Sequence, residues 1–251
     1  MRARITLLLF AILYSFTCLA QTNFEKHFTK KSLRIDFALS GNWDFQAAAI
    51  QQLREEPVWA GPVKNLIDPF GYGGYYINVY DKAGKELIYS RGFNTLFEEW
   101  RSTEQAKTET QSWTNSISIP YPKAPVIIEI TARDKADMQF HPLLKQEIDP
   151  ASIFIDRGKL KENRITKIRY NGDSSGKVDL VFLAEGYTAD EQEKFVADAK
   201  RFTEALFKTP PYDTRREDFN VWAVDAVSEE SGTDVSGKGI FKNTALNSGY
   251  Y

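Results

Sequence analysis

"VDLVFLAEGYTADEQEKFVADAKRF", residues Val178 to Phe202, runs from a nearly continuous apolar stretch through Glu185-Gly186-Tyr187 into a capped helix. The apolar run Val178 to Ala184 predicts a strand covered on both faces, as in a parallel sheet. Thr188 and Glu191 form a T-x-x-E capping box that supplies partners for otherwise orphaned helix N–H groups. Spacing of i, i+4, i+7, i+11 predicts that Phe195, Ala199, Phe202 and Leu206 are the buried face of that helix. Pro210-Pro211 stops it, since proline lacks the N–H and restricts its predecessor. "DFNVWAVDA" follows as a second strand, so strand, helix and strand predict a crossover between parallel neighbours.

Upstream the texture is different. From about Thr29 to Asp149 the chain reads as short strands. "SLRIDFAL" alternates Leu33, Ile35, Phe37 and Leu39 on one face, the period-two pattern of a half-buried strand. "YYINVYDKAGKELIYSRGF" reads as two strands around a polar turn at Asp81 to Lys85, and "SWTNSISIPYP" and "APVIIEITARD" continue the series between prolines. Repeated strands with turn signals favour an antiparallel sandwich. The predicted fold is therefore an N-terminal antiparallel β-sandwich, residues 21–149, and a connector, residues 150–176. An incomplete α/β domain, residues 177–251, follows. The boundary is placed near Asp149-Pro150, where the β texture ends.

The chain has 251 residues, 42% hydrophobic and 14% aromatic, enough for one large or two ordinary cores. Lys and Arg number 32 against 34 Asp and Glu, a formal charge of −2. That balance offers no basic surface for nucleic acid. Residues 1–20, "MRARITLLLFAILYSFTCLA", carry Arg2 and Arg4 ahead of an apolar core and a small residue, Ala20. They read as a cleaved export signal, too short for a membrane span. The expected product is periplasmic, cell-surface or secreted, with no membrane span after cleavage. Cys18 is the only cysteine, so the mature chain has no disulfide, thiolate nucleophile or cysteine ligand for zinc.

The loops after the two α/β strands leave one sheet edge, where ligands of open α/β sheets bind. Glu185, Tyr187, Asp225, Glu229, Glu230 and Asp234 lie there, as rim residues of a cleft or as carboxylates around a hard cation. The bland alternative is a set of solvated loop charges, and no EF-hand spacing is present. "GDSSG", Gly172 to Gly176, precedes a strand instead of following one and lacks a downstream histidine, so it reads as a turn and not a nucleophile elbow. "GTDVSGKG", Gly232 to Gly239, lacks the Ser or Thr of a phosphate loop, and "FGYGG", Phe70 to Gly74, lacks the strand and helix of a dinucleotide fingerprint. The two histidines, His27 and His141, do not form an H-E-x-x-H.

Three blocks in order carry a resemblance: "VDLVFLAEGYTADEQEKFVADAKRF", "FNVWAVDAVSEESGTD" and "KNTAL". Together they resemble the opening of the catalytic domain of the bacterial IgA metallopeptidase family. Ser228 to Asp234 and Asn243-Thr244-Ala245 match its loop motifs, with Glu185 where the family carries Asp. The β region resembles the family's N-terminal domain. The resemblance implies a zincin-like α/β fold and a secreted zinc endopeptidase acting on a protein, with immunoglobulin a candidate substrate and not a specificity carried over from the family. In such enzymes a glutamate is the general base toward a zinc-bound water. The family's H-E-x-x-H lies beyond Asn-Thr-Ala, so no catalytic or metal-binding residue transfers to this chain. It is expected to hold no cofactor and to be an inactive N-terminal fragment. The rival reading is an exported, non-catalytic module binding glycan or protein. It rests on the aromatics of "GYGGYYINVY" and on Trp43, Trp59, Trp100 and Trp113, which otherwise pack the sandwich core.

Overall fold

A computed structural model describes residues 23–83, 85–159 and 162–248; the export signal expected over residues 1–20 lies outside them. The chain divides into two compact units, Met1–Gly158 and Lys159–Tyr251.

In the first unit β1 (Phe28–Gly41) and β2 (Gln46–Glu56) form an antiparallel hairpin. Its turn is fixed by the Asn42 side chain, whose Oδ1 accepts from Asp44 N and Phe45 N at 3.0 and 3.1 Å. The remaining long strands are β3 (Tyr75–Asp81), β4 (Leu87–Phe93), β5 (Gln111–Pro122), β6 (Val126–Arg133) and β7 (Phe140–Ile148). A two-residue strand, β8 (Ile155–Asp156), pairs with β2 in parallel. Two four-stranded sheets result, ordered β5-β1-β2-β8 and β4-β3-β6-β7. One apolar cluster joins them, with Leu33, Ile35, Phe37 and Leu39 from β1, Ile77 and Val79 from β3, and Ile128 and Ile130 from β6. The alternation read in "SLRIDFAL" is realised: these four residues are fully buried while Arg34 and Asp36 between them pair at 3.0 Å. A bulge in the register at Asp36/Phe37 leaves Gln51 as the extra residue of β2, so β1 keeps its alternation unbroken.

The second unit has a three-stranded sheet ordered β10-β11-β9, made of β9 (Ile165–Arg169), β10 (Val178–Leu183) and β11 (Phe219–Val224). β10 and β11 run parallel, as the crossover requires, and β9 lies antiparallel on the far side of β11. Thr188 N and Oγ1 both donate to the Glu191 carboxylate, at 3.1 and 3.2 Å, and the helix Gln192–Leu206 follows.

Three expectations need correction. The stretch 150–176 is not a plain connector: β8 belongs to the first unit and β9 to the second. Tyr121 and Arg157 both donate to Pro150 O at 2.7 Å, tying that segment back to the first unit. Backbone pairing defines such short edge strands, and apolar periodicity does not reveal it. Second, among the described residues β10 is covered on one face only. Phe182 and Ala223 meet Phe195 and Ala199 of the helix, whereas Val181 and Leu183 on the other face are each 47% exposed. Third, the buried face of the helix is Gln192, Phe195, Ala199 and Thr203, and Phe202 is exposed with Arg201 over its ring at 4.4 Å. Two polar residues enter the buried stripe because their donors find carbonyls. Gln192 Nε2 reaches Tyr187 O and Thr188 O, and Thr203 Oγ1 reaches Ala199 O at 2.7 Å.

Candidate functional site

Because β10 and β11 are parallel, their C-terminal ends open onto one edge, and the two following loops are zipped together there. Gly232 N donates to Gly186 O and Ser228 N to Tyr187 O, each at 2.9 Å. Gly186 has φ +75°, a left-handed conformation that favours glycine. Its missing Cβ also lets the Gly232 carbonyl approach.

A third segment, residues 242–248, is laid across both loops and bound through its backbone. Glu185 accepts from the Thr244 hydroxyl, from Leu246 N at 2.8 Å and from Ser248 N at 3.1 Å. Ser228 Oγ accepts from Gly186 N at 2.9 Å and Ala245 N at 3.0 Å. Glu230 accepts from Asn243 N at 2.7 Å and Lys242 Nζ at 3.2 Å. Glu229 takes Asn243 Nδ2 at 2.6 Å, and Asp234 takes Lys242 N at 2.7 Å. The three sequence blocks singled out above are thus hydrogen-bond partners of one another.

Two predicted residues are turned elsewhere. Asp225, only 8% exposed, receives Arg164 Nε on Oδ2 at 2.6 Å, while its Oδ1 is buried without a partner among the described residues. Tyr187 donates to Asp198 at 3.1 Å, and its ring lies 5.3 Å from that of Phe195. Burial, then the Asp198 carboxylate, pushes the Tyr187 hydroxyl up. Ser228 and Thr244, both buried, emerge as braces that the sequence reading quoted within motifs but gave no task.

The electrostatics describe a brace more than a reactive centre. Burial alone would raise the Glu185 carboxyl. Hydrogen bonds from Thr244, Leu246 and Ser248 outweigh it and hold the group below its usual range. Glu230 is likewise held down, by Asn243 N first and then Lys242. A general base needs a free lone pair and a pKa near the working pH, and neither carboxylate has both. Among the described residues no group of three or more His, Cys, Asp or Glu is placed to hold a metal ion.

A pH test follows from the Glu185 shift. A carboxyl lowered on folding contributes its stability fully above its unfolded value, about 4.3, and loses it as pH falls through the lower folded value. Hydrogen-exchange protection of the Leu246 and Ser248 amides should therefore hold at neutral pH and drop by about tenfold on acidification past that window. Glu185→Ala should show the same loss already at pH 7. Protection unchanged in the variant would mean that the carboxylate does not fasten this segment.

Comparison with known families now bears on this edge. Residues 23–143 match Peptidase M64 N-terminus, and residues 166–251 match IgA Peptidase M64. Both point to the M64 peptidase family. The second M64 match begins within β9 and spans both loops and the bound segment, so the braced edge lies inside the peptidase-matched region. The first covers β1 to β6 and the start of β7. No curated protein matches the chain. Among the described residues no helix is long and apolar enough to cross a membrane.

Proposed function

We propose that this chain is the N-terminal part of an exported zinc metalloendopeptidase of the M64 type. It comprises a β-sandwich unit and the first portion of a zincin-like α/β catalytic domain. The observation that carries the reading is the pair of M64 matches in succession, the second containing the interlocked loop edge. The half-exposed Val181 and Leu183 support it, because an apolar sheet face beside a helix-covered one is suited to further packing. The substrate class is a protein, and immunoglobulin is one member to test.

The described residues do not fit a zinc centre. His27 and His141 both lie in the first unit, and His141 Nε2 is bonded to Asp137 at 2.8 Å. When zinc is bound in such peptidases it supplies Lewis acidity and a nucleophilic water. The role of residues 178–248 is scaffold: the Glu185 and Ser228 braces would fix one wall of the cleft.

The experiment is to read the coding sequence beyond the Tyr251 codon and express both the 251-residue chain and any longer product. The longer product should carry H-E-x-x-H, cleave casein or immunoglobulin, lose activity to a chelator and regain it with zinc. The 251-residue chain should show no cleavage. Chelator-sensitive, zinc-restored hydrolysis by the short chain would sink the assignment of its role.

A further inference from the structure

The first unit holds a cavity of about 360 Å³ between the segment Pro62–Phe70 and β4, with Asn65, Asp68, Phe70, Ser90 and Arg91 in its lining. Phe70, part of that lining, stacks on Tyr72, ring centroids 5.8 Å apart and planes 11° apart. The two are 69% and 75% exposed. They stand out from the other aromatics of this stretch, since Tyr75 and Tyr76 are buried.

The loop presenting them is fastened on both sides. Asp68 accepts from Phe70 N at 2.9 Å and Gly92 N at 3.1 Å, and its own N–H donates to Ser90 Oγ at 2.9 Å. Arg133 donates to Gly71 O and Gly73 O, and Gly74 N donates to Asn94 at 2.7 Å. Burial pulls the Asp68 carboxyl upward, but the Phe70 and Gly92 N–H groups, the Tyr76 hydroxyl and the Arg91 charge together outweigh it and hold the carboxyl below its usual range. Two exposed rings bury little on folding, yet their loop is held in one geometry. Fixing a recognition surface in advance lowers the entropy cost of binding.

The geometry points to a carbohydrate site in which the Phe70–Tyr72 platform and the adjoining cavity hold a neutral pyranose at the end of a glycan. The C–H face of a pyranose is flat, apolar and weakly positive, and complements the negative face of an aromatic ring. Its hydroxyl groups need acceptors and donors together, and the lining includes residues of both kinds: Asp68, whose carboxylate oxygens each keep a lone pair beyond the one N–H they accept, Asn65 and Arg91. One anion and one cation leave no net charge to select an acidic sugar. The volume lies at the lower end of small-ligand pockets, as one or two rings require. A proline-rich peptide would need aromatic ridges lining a groove, whereas the platform here is a single pair beside charged groups. The assignment does not depend on the peptidase reading and stands or falls separately from it.

The test is to apply the full chain to an array of oligosaccharides ending in neutral hexoses and N-acetylhexosamines, with proline-rich peptides on the same surface. Saturable binding to at least one neutral glycan is expected. Phe70→Ala and Tyr72→Ala should each weaken it by about tenfold or more. Tyr72→Phe, which keeps the stack, should retain it, as should Trp43→Ala at an exposed aromatic away from this loop. Thermal midpoints should stay unchanged, because both rings are mostly solvated. No binding by the folded chain to any neutral glycan, binding that survives both alanine variants, or capture of the peptides in place of glycans would each overturn the proposal.

Discussion

Gly186→Ala should destabilise the second unit by about 2–4 kcal/mol and leave the first unit unchanged. Two independent causes act at this position. The backbone sits at φ +75°, where a Cβ costs roughly 1–2 kcal/mol. That Cβ would also stand well inside contact distance of the Gly232 carbonyl oxygen and 3.0 Å from its carbon. The obstacle is backbone, which cannot swing away as a flexible side chain would. Relieving it means separating the two loops, which removes the 2.9 Å bond from Gly232 N to Gly186 O and strains that from Ser228 N to Tyr187 O. Gly232→Ala is the internal control. Gly232 also has a positive φ, +99°, but among the described residues nothing lies within 4 Å of the point where its Cβ would stand. Only the conformational cost of roughly 1–2 kcal/mol applies there. Urea unfolding of both variants, followed by exchange in the Val221–Ala223 peptide, separates the causes. Equal losses in the two variants would mean that close approach of the loops contributes nothing.

The difference between those glycines was not legible in the sequence, although both stand in conspicuous turns. What was legible is whatever a repeating pattern forces. Leu33, Ile35, Phe37 and Leu39 could be assigned to a core because one face of a strand repeats every second residue. The parallel β10–β11 pair followed from strand, capped helix and strand, and it placed Glu185 and Asp225 on one edge. Beyond that edge the pattern stops. Glu185 is satisfied by N–H groups of Leu246 and Ser248, and any residue type except proline would offer those donors, so only the loop path reveals them.

The misreadings at β10 and the helix have physical causes too. An apolar run states that burial is favourable, not that a covering element is present, and no described helix lies over Val181 and Leu183. At roughly 100° per residue, the stripe containing Gln192, Phe195, Ala199 and Thr203 centres near Ala199. Phe202 then falls at its margin although it is the most apolar residue of that turn. The Phe70–Tyr72 pair was visible as composition, but only the structure separates these two exposed rings from the buried tyrosines beside them.

Phe37→Ala should cost about 3–5 kcal/mol, the largest effect expected in this chain, and it should be confined to the first unit. Phe37 is fully buried between the two four-stranded sheets, with its ring edge-on to Phe93 at 6.0 Å. Phe93 belongs to β4 and Phe37 to β1, so truncation opens a void between layers and not within one. The sheets resist collapse into that void because β1 is paired along nearly its whole length with both β2 and β5. A cavity that cannot relax retains its full cost. Paired with Gly186→Ala, the variant also tests whether the two compact units unfold separately. Exchange in the Leu33–Leu39 peptide should accelerate only in Phe37→Ala, and exchange in the Val221–Ala223 peptide only in Gly186→Ala. If either substitution loosened both peptides to the same degree, the chain would be one cooperative unit, and the division at Gly158–Lys159 would describe chain contacts without describing stability.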